Sequence, residues 1–228
     1  MNKELSQLLS EHSPEIAPEI QGRIQTFYEL LRAENEIQNL TRLISPEDFY
    51  FGHLLDVLEL LKTGWIKYPA LDIGSGGGIP GLLAAIIHPG LWILCESEKR
   101  KADFLQRAVN SLRLETTVQV TSLRVEDYLK SKRVNTLVAR AVGNVERIHG
   151  WIRKYSTWNT IKVNGANAPA TQLILFKGPG WEEEWKTFGQ GKYRDEVLVK
   201  ESHSYKILRS LNQPAEEKSR LLIQLVRK

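Results

Sequence analysis

The chain has 228 residues, of which 42% are hydrophobic, so it can bury one full core and carry a small appended segment. Its formal net charge is +4 and its pI is near 9.1, a modest surplus that excludes no class of partner. A single cysteine rules out an internal disulfide framework. The N-terminus opens no apolar signal region and no apolar run is long enough to cross a bilayer, so we expect a cytoplasmic protein without a membrane partner.

The first part of the chain has the apolar spacing of helices. Ile20, Ile24 and Phe27 recur with helical period, and Ser45-Pro46 is a start signal for a helix that ends at Gly64. We therefore predict helices over residues 2–62. Residues 1–66 are assigned to an N-terminal helical segment packed on the catalytic domain, and residues 67–228 to that domain.

From Pro69 onward, strand and helix patterns alternate. Short apolar runs predict seven strands near residues 70–73, 91–96, 117–121, 135–139, 172–176, 195–199 and 220–227. This alternation predicts an α/β Rossmann-like fold, with a mainly parallel seven-stranded sheet and helices on both faces. Residues 157–171, which are rich in Asn and Ala, are expected to form a surface loop.

A glycine-dense turn follows the first predicted strand, and its glycines fit two ligand-binding patterns. Read as Asp72-x-Gly74-x-Gly76-x-Gly78, it matches the loop that binds S-adenosylmethionine (SAM) in Rossmann-like methyltransferases. Read from Gly76 to Gly81 as G-x-G-x-x-G, it matches the dinucleotide fingerprint of NAD enzymes. The second pattern begins two residues late, because Gly74 already closes the strand, and Pro80 lacks an N–H for a pyrophosphate. The turn favours SAM and leaves NAD open.

The second predicted strand ends in Glu96, about twenty residues after the glycine turn. A carboxylate at that place can accept hydrogen bonds from both hydroxyls of a ribose. Because SAM and NAD both carry ribose, Glu96 does not separate them. The alternative is that Glu96 lies at the start of the next helix and favours its dipole.

Further site candidates follow the next three predicted strands, because the carboxyl ends of parallel strands line the ligand crevice. Val125 and Glu126 follow the third strand and can hold an adenine by packing and by peptide N–H contacts. Arg140 ends the fourth strand and Lys177 the fifth, so two cations are expected at adjacent strand ends. A buried arginine requires a partner or an anionic ligand.

Basic residues are concentrated in two stretches. One is residues 192–228, and the other is the helix after Glu96, with Lys99, Arg100, Lys101, Arg107 and Arg113. Such surfaces suit a polyanion such as RNA and are equally typical of solvated helix faces. Trp181 and Trp185, four residues apart, fit either RNA stacking or, more commonly, a helix face in the core.

Taken in order, the motifs resemble one family over nearly the whole chain: the bacterial small-subunit ribosomal RNA guanine-N7 methyltransferases, known as RsmG or GidB. The motifs are Asn39-Leu40-Thr41, His53-x-x-Asp56, the Asp72–Gly81 loop, Glu96-Ser97, Lys99-Arg100, Arg124-Val125-Glu126, Arg140-Ala141 and Lys177-Gly178. Two departures are Glu34, where the family commonly has tryptophan, and Glu96 in place of aspartate. The segment 157–171 also lacks the family's Pro-Gly-Gly turn.

The resemblance implies a SAM-dependent enzyme that methylates N7 of a guanine in 16S rRNA, acting on that RNA or on the small ribosomal subunit. With the loop motif, it implies cofactor binding by Asp72, Gly74, Gly76, Gly78, Ile79, Glu96, Val125, Glu126 and Arg140. Asn39, His53 and Lys177 are the residues expected beside the reacting base. We expect no metal site and a monomer.

The chemistry implied by the resemblance needs no general base, because guanine N7 presents a lone pair with no proton to remove. Methylation at C5 of a pyrimidine would need a cysteine nucleophile, and the single cysteine, Cys95, lies within a predicted strand. His53 and Asp56, three residues apart, are therefore interpreted as orienting or RNA-contacting residues, or as a surface pair. Two other function classes stay open: an NAD(P)-dependent oxidoreductase and a non-catalytic RNA-binding assembly factor.

Overall fold

The computed structural model describes residues 4–155, 162–163, 166–167, 171–193, 195–208 and 217–227. In the N-terminal part, the helices are α1 (Leu5–His12), α2 (Pro18–Gln38), α3 (Pro46–Phe49) and α4 (Leu55–Lys62), with a π-helical turn, Tyr50–Leu54, joining α3 to α4. The later helices are α5 (Gly81–Ile87), α6 (Lys99–Ser111), α7 (Val125–Leu129), α8 (Val145–Ile152) and α9 (Trp181–Gln190).

Seven strands form the main sheet: β1 (Ala70–Ile73), β2 (Trp92–Cys95), β3 (Val118–Thr121), β4 (Thr136–Arg140), β5 (Gln172–Lys177), β6 (Val197–Leu208) and β7 (Glu217–Arg227). All seven predicted strands are confirmed, and the last two are longer than predicted. Within the predicted surface loop 157–171, Lys162–Val163 pairs with Ala166–Asn167 as a short antiparallel ladder. The rest of residues 157–170 lies outside the described residues.

The strand order is β3-β2-β1-β4-β5-β7-β6. The first five strands are parallel neighbours, whereas β7 runs antiparallel to β5 and β6. The order reverses at β1, which lies between β2 and β4, so a ligand crevice is expected where β1 and β4 end. The antiparallel β7 departs from the strand order 3-2-1-4-5-6 of dinucleotide-binding domains, which does not favour the NAD alternative.

Successive side chains of the buried strands point to opposite faces of the sheet and enter two separate apolar cores. Ala70 and Trp92 belong to the core under α1–α6, whereas Leu71 and Ile93 belong to the core under α7–α9. Helices therefore cover both faces, as predicted. The N-terminal helices share the first core with α5 and β2, so apolar packing continues across the predicted boundary at residue 66.

The helix predicted from Ser45 to Gly64 forms, but not as a regular α-helix. Ser45 Oγ accepts a hydrogen bond from the Asp48 N–H at 3.0 Å and caps the start, and Gly64, at φ +64°, lies just beyond the end. Between them, the turn Tyr50–Leu54 is π-helical, which the apolar spacing did not predict. Turns of this kind are frequent at functional sites.

Candidate active site

The glycine turn takes the backbone into the left-handed region three times, at Gly74 (φ +66°), Gly76 (φ +50°) and Gly78 (φ +90°). Side chains other than glycine rarely adopt this conformation, so the glycines allow a tight turn between β1 and α5. Gly74 is exposed and Gly76 is half-buried. The turn thus exposes backbone without side chains at the ends of β1 and β4, where the ligand crevice is predicted.

Asp72 lies beneath this turn. Its side chain is buried and its Oδ2 accepts a hydrogen bond from the Gly81 N–H at 3.0 Å. A Cβ on Gly81 would lie 2.7 Å from Asp72 Cβ, so glycine is required for this close approach. Burial raises the pKa of the Asp72 carboxyl to about 7. Asp72 therefore positions the turn and the start of α5, and its role in cofactor binding stays a prediction.

Glu96 braces the turn from the neighbouring strand. Its Oε2 accepts a hydrogen bond from the Gly76 N–H at 2.9 Å, and its Oε1 accepts one from the Glu98 N–H at 2.8 Å. Carboxylate oxygens can each accept more than one hydrogen bond, so this arrangement leaves acceptor capacity for ribose hydroxyls. The structure brings Glu96 and the glycine turn together, as the sequence predicts.

A small pocket of about 80 Å³ lies on the β2–β3 side of the turn. Val125 and Glu126, the predicted adenine contacts, line it together with Gly74, Val142 and Trp151. Cys95 also lines it, and burial raises the pKa of its thiol to about 12, so the thiol stays protonated and is no nucleophile near neutral pH. The walls are mainly apolar and suit a flat aromatic ring.

A larger cleft of about 620 Å³ lies on the other side of the turn, and Gly74 and Val142 line both spaces. The N-terminal segment, the glycine turn and the ends of β4 and β5 supply its walls. Its lining residues include Leu40, Thr41, Arg42, His53, Gly76, Ile79, Arg140, Ala141, Lys177 and Arg220. Ala141 adopts φ +59°, an unusual conformation for alanine, where the chain leaves β4.

Arg140 reaches this cleft with its guanidinium already engaged. Nη2 lies 3.0 Å from Asp56 Oδ2 and donates to the Gly52 carbonyl oxygen at 2.5 Å, while Nη1 donates to His53 Nδ1 at 2.8 Å. Gly52 and His53 belong to the π-helical turn. The predicted cofactor-binding arginine is therefore held by the N-terminal segment.

His53 is a buried, neutral imidazole. Burial first, and then the positive charge of Arg140, lower its pKa well below 6.5. An arginine can only donate, so Nδ1 accepts and the ring proton lies on Nε2, which is 3.0 Å from Thr41 Oγ1. His53 and Asp56 are thus joined through Arg140, and His53 orients its neighbours.

The other two residues predicted beside the reacting base are placed differently. Lys177 lines the cleft, but its Nζ lies 2.7 Å from Glu184 Oε1 and 3.2 Å from the Gly143 carbonyl oxygen. Asn39 is exposed and ends α2 in a left-handed conformation at φ +47°. Neither placement decides a role toward a substrate, so both roles stay predictions.

Arg220, like Arg42, is a charged residue of the cleft that sequence reasoning did not single out. It lies on β7 and lines the cleft, where its charge contributes to lowering the pKa values of His53 and Arg140. Its Nε is buried, and among the described residues no hydrogen bond or ion pair engages its guanidinium. In the sequence, Arg220 is distinguished only as one of the basic residues of the stretch 192–228.

The predicted basic surfaces are partly neutralised locally. On α6, Lys99 pairs with Asp103, Lys101 with Glu98, and Arg107 with Glu34 of α2. Within the second basic stretch, residues 197–208 and 217–227 form strands β6 and β7. Trp181 is buried and stacks on Trp185 with ring centroids 5.4 Å apart, which supports the core interpretation.

Within the described ranges, no group of three or more His, Cys, Asp or Glu side chains is arranged to hold a metal ion. In the same ranges, no helix is long and apolar enough to cross a membrane.

The fold is shared with solved structures at low sequence identity. The structure titled METTL16 MTase domain aligns with a TM-score of 0.53 and 14% identity, covering 97% of this chain and 92% of that chain. A complex titled MtNAS with MTA and tNA aligns with a TM-score of 0.54 and 13% identity, covering 98% of this chain and 80% of that one. The sheet order and glycine turn define a Rossmann-like methyltransferase fold.

Within that class, sequence comparison identifies the family. Residues 20–200 match the model of GidB, described as rRNA small subunit methyltransferase G. A protein named Ribosomal RNA small subunit methyltransferase G from Carboxydothermus hydrogenoformans is 30% identical over 217 residues, covering 91% of this chain and 86% of that protein. The chain therefore belongs to the GidB family.

Other relatives of the same name align over shorter segments. The Dichelobacter nodosus protein is 34% identical over 134 residues, and the Rhodopirellula baltica protein is 33% identical over 162 residues. The matched segments span 63% and 64% of these two relatives, slightly less than two thirds of their length.

Proposed function

We propose that this protein is a SAM-dependent methyltransferase that methylates N7 of a guanine in the 16S RNA of the small ribosomal subunit. Membership of the GidB family supports methyl transfer as the reaction and small-subunit ribosomal RNA as the substrate. The observation that locates the proposed site is that Glu96 accepts a hydrogen bond from the glycine turn, and that this turn lines the large cleft at the ends of β1 and β4. We further propose a monomer located in the cytoplasm.

The residues around the turn fit SAM in three parts. Val125, Glu126 and Val142 form the mainly apolar pocket for the adenine, and Glu96 has acceptor capacity for the ribose hydroxyls. The methionine part would run past Gly74 and Gly76 into the large cleft, which both residues line. Bare backbone at these glycines leaves space that a side chain would take.

When bound, SAM supplies a methyl group on a positively charged sulfur. The protein's task is to place guanine N7 in line with that methyl and sulfur and to exclude water. The N7 lone pair forms the new bond, and the sulfur keeps the electrons of the bond that breaks, so no proton moves. The neutral state of His53 and the protonated thiol of Cys95 agree with a reaction that needs neither a base nor a nucleophilic residue.

The large cleft offers a positive charge to RNA. Arg140 and Lys177 have carboxylate partners in Asp56 and Glu184. Arg42 and Arg220 have none among the described residues; Arg42 is exposed, whereas Arg220 is half-buried with its Nε unpartnered. An unpaired guanidinium at a cleft suits a phosphate, which it can bind with two parallel hydrogen bonds. We assign Arg220 to a phosphate of the RNA strand near the target guanine.

The N-terminal helical segment, residues 1–66, is proposed to complete the active site. Thr41, Arg42 and His53 line the large cleft, and a Cβ on Gly77 would meet Leu31 of α2 at 2.9 Å. The segment therefore packs directly on the glycine turn, and its removal would open one side of the cleft.

The test is to map methylated nucleotides in small-subunit rRNA from cells with and without this gene. We expect one N7-methylguanine to disappear without the gene and to return when the gene is restored. Restoration with Glu96→Ala should fail, because the ribose loses its acceptor. Glu98→Ala is the matched control, since that side chain is exposed and its ion pair is with the neighbouring Lys101.

Three outcomes would overturn the proposal. An unchanged methylation map would exclude this RNA as the substrate. Purified protein that binds NAD and not SAM would favour an oxidoreductase. If Glu96→Ala restores methylation, Glu96 is not needed at the cofactor site. If SAM binding is also unaffected, another group accepts the hydrogen bonds of the ribose hydroxyls.

A further inference from the structure

A chain of hydrogen bonds of fixed polarity runs from Arg140 to Thr41. Arg140 Nη1 donates to His53 Nδ1, so the proton of the neutral imidazole lies on Nε2. That nitrogen lies 3.0 Å from Thr41 Oγ1 and donates to it. The Leu43 N–H donates to the same oxygen at 3.0 Å.

These two hydrogen bonds occupy both lone pairs of the Thr41 oxygen, because a hydroxyl has two acceptor positions and one donor. Its own proton must therefore point in a third direction. Thr41 lines the large cleft, and no described residue accepts that proton. The Thr41 N–H also donates to Asn35 Oδ1 at 2.8 Å, which fixes the backbone carrying the hydroxyl.

We propose that the Thr41 hydroxyl donates a hydrogen bond to O6 of the target guanine, and that it is a specificity-determining residue. This inference rests on the proposed function. On the major-groove edge of guanine, N7 and O6 are both acceptors. The N7 lone pair must face the methyl group, so O6 is the acceptor left for a protein donor.

The same hydroxyl would disfavour adenine. Adenine has an amino group at this position, which is a donor, and Thr41 cannot turn its oxygen to accept because His53 and Leu43 occupy both lone pairs. A donor facing a donor leaves both unpaired in the cleft, which is a strong means of rejecting the wrong ligand. His53 is thus a positioning residue that fixes the polarity of Thr41.

The experiment compares Thr41→Val with Thr41→Ser on two RNAs that differ at the target base. One RNA carries guanine and the other 2-aminopurine, which keeps N7 and the 2-amino group but lacks O6. On the guanine RNA, Thr41→Val should lower kcat/KM roughly tenfold, the loss expected for one hydrogen bond, while Thr41→Ser stays near wild type. On the 2-aminopurine RNA, wild type and Thr41→Val should be equal.

Binding of SAM to the folded variants, measured by calorimetry, separates the alternatives. Unchanged SAM affinity in Thr41→Val is expected. A matching loss of SAM affinity would make the cofactor the acceptor, and equal losses on both RNAs would exclude O6; either result overturns the inference. If Thr41→Ser is as poor as Thr41→Val, the methyl group and not the hydroxyl matters, and the inference also fails.

Failure of the proposed function is distinguishable from failure of this inference. A wild-type protein that transfers no methyl group to the guanine RNA removes the function, and the role of Thr41 with it. A wild-type protein that methylates N7, with Thr41→Val equally active on the guanine RNA, overturns only the assignment of Thr41.

Discussion

Arg140 and Asp56 form a buried ion pair between the end of β4 and helix α4, with Nη2 3.0 Å from Oδ2 and only 12% and 1% of the two side chains exposed. Asp56 Oδ1 also accepts a hydrogen bond from the Tyr205 hydroxyl of β6 at 2.7 Å. The carboxylate thus joins three parts of the fold at one wall of the cleft. Its removal would leave a buried guanidinium with no counter-charge.

Asp56→Ala should lower the free energy of unfolding by about 3 kcal/mol, because breaking a buried pair leaves an uncompensated charge. Urea denaturation of the purified protein measures this. Glu19→Ala is the matched control, since it breaks the exposed pair with Arg23 and should leave stability nearly unchanged. Equal changes in the two variants would contradict a structural role for the Arg140–Asp56 pair.

The main elements were predictable because their signals are local. Short apolar runs predicted all seven strands, and the glycine turn followed β1 as its spacing required. Glu96 came next to this turn because β1 and β2 are parallel neighbours in register, Asp72 beside Leu94 and Ile73 beside Cys95. The parallel pairing of β1 and β2 therefore explains why this part of the site could be predicted from the sequence.

The partners of the charged side chains were not predictable, because they depend on packing between segments distant in sequence. Arg140 and Lys177 were expected to face ligands, but Asp56 and Glu184 hold them. The π-helical turn, which presents the Gly52 carbonyl oxygen to Arg140, leaves no mark in apolar spacing. Arg220 reaches the cleft only because β7 inserts between β5 and β6.

The role of the glycine turn can be tested with two glycines of similar backbone conformation. Gly76 has φ +50° and Gly64 has φ +64°, and a Cβ on either would meet no close protein atom. Each substitution to alanine should therefore cost about 1 kcal/mol in stability from backbone strain. Only Gly76→Ala should also weaken SAM binding, by at least tenfold, because only Gly76 lines the cleft.

Calorimetric titration with SAM, alongside urea denaturation, checks both variants. If Gly76→Ala binds SAM as tightly as Gly64→Ala does, the cofactor does not approach this part of the turn. If both lose affinity equally, general destabilisation accounts for the loss.

Arg220→Ala should weaken RNA binding and reduce the slope of log affinity against log salt concentration by about one, as expected for the loss of one phosphate contact. SAM binding should be unchanged. Lys177→Ala should change the salt slope less, because Glu184 and the Gly143 carbonyl oxygen already engage its Nζ. Filter binding over a series of salt concentrations measures both slopes. A larger change for Lys177→Ala would assign the phosphate contact to that lysine.

Stability should depend on pH through His53. The folded state keeps its imidazole neutral, because burial and Arg140 hold its pKa well below 6.5, whereas the unfolded chain takes up a proton near pH 6.5. Protonation therefore favours the unfolded state, so the stabilising effect of a neutral His53 is present above pH 6.5 and is lost as the pH falls. At pH 5.5 the loss from this one group is on the order of 1 kcal/mol relative to pH 7.5.

Comparison of wild type with His53→Gln isolates this contribution, because all other titrating groups are common to both proteins. The free energies of unfolding are measured in urea at pH 7.5 and pH 5.5. Glutamine does not titrate, so the advantage of wild type over His53→Gln should shrink by on the order of 1 kcal/mol at the lower pH. A constant difference between the two proteins would mean that the pKa of His53 is the same in the folded and unfolded states. An advantage of wild type that grows at pH 5.5 would mean that His53 is protonated in the folded state, where Nδ1 could no longer accept from Arg140.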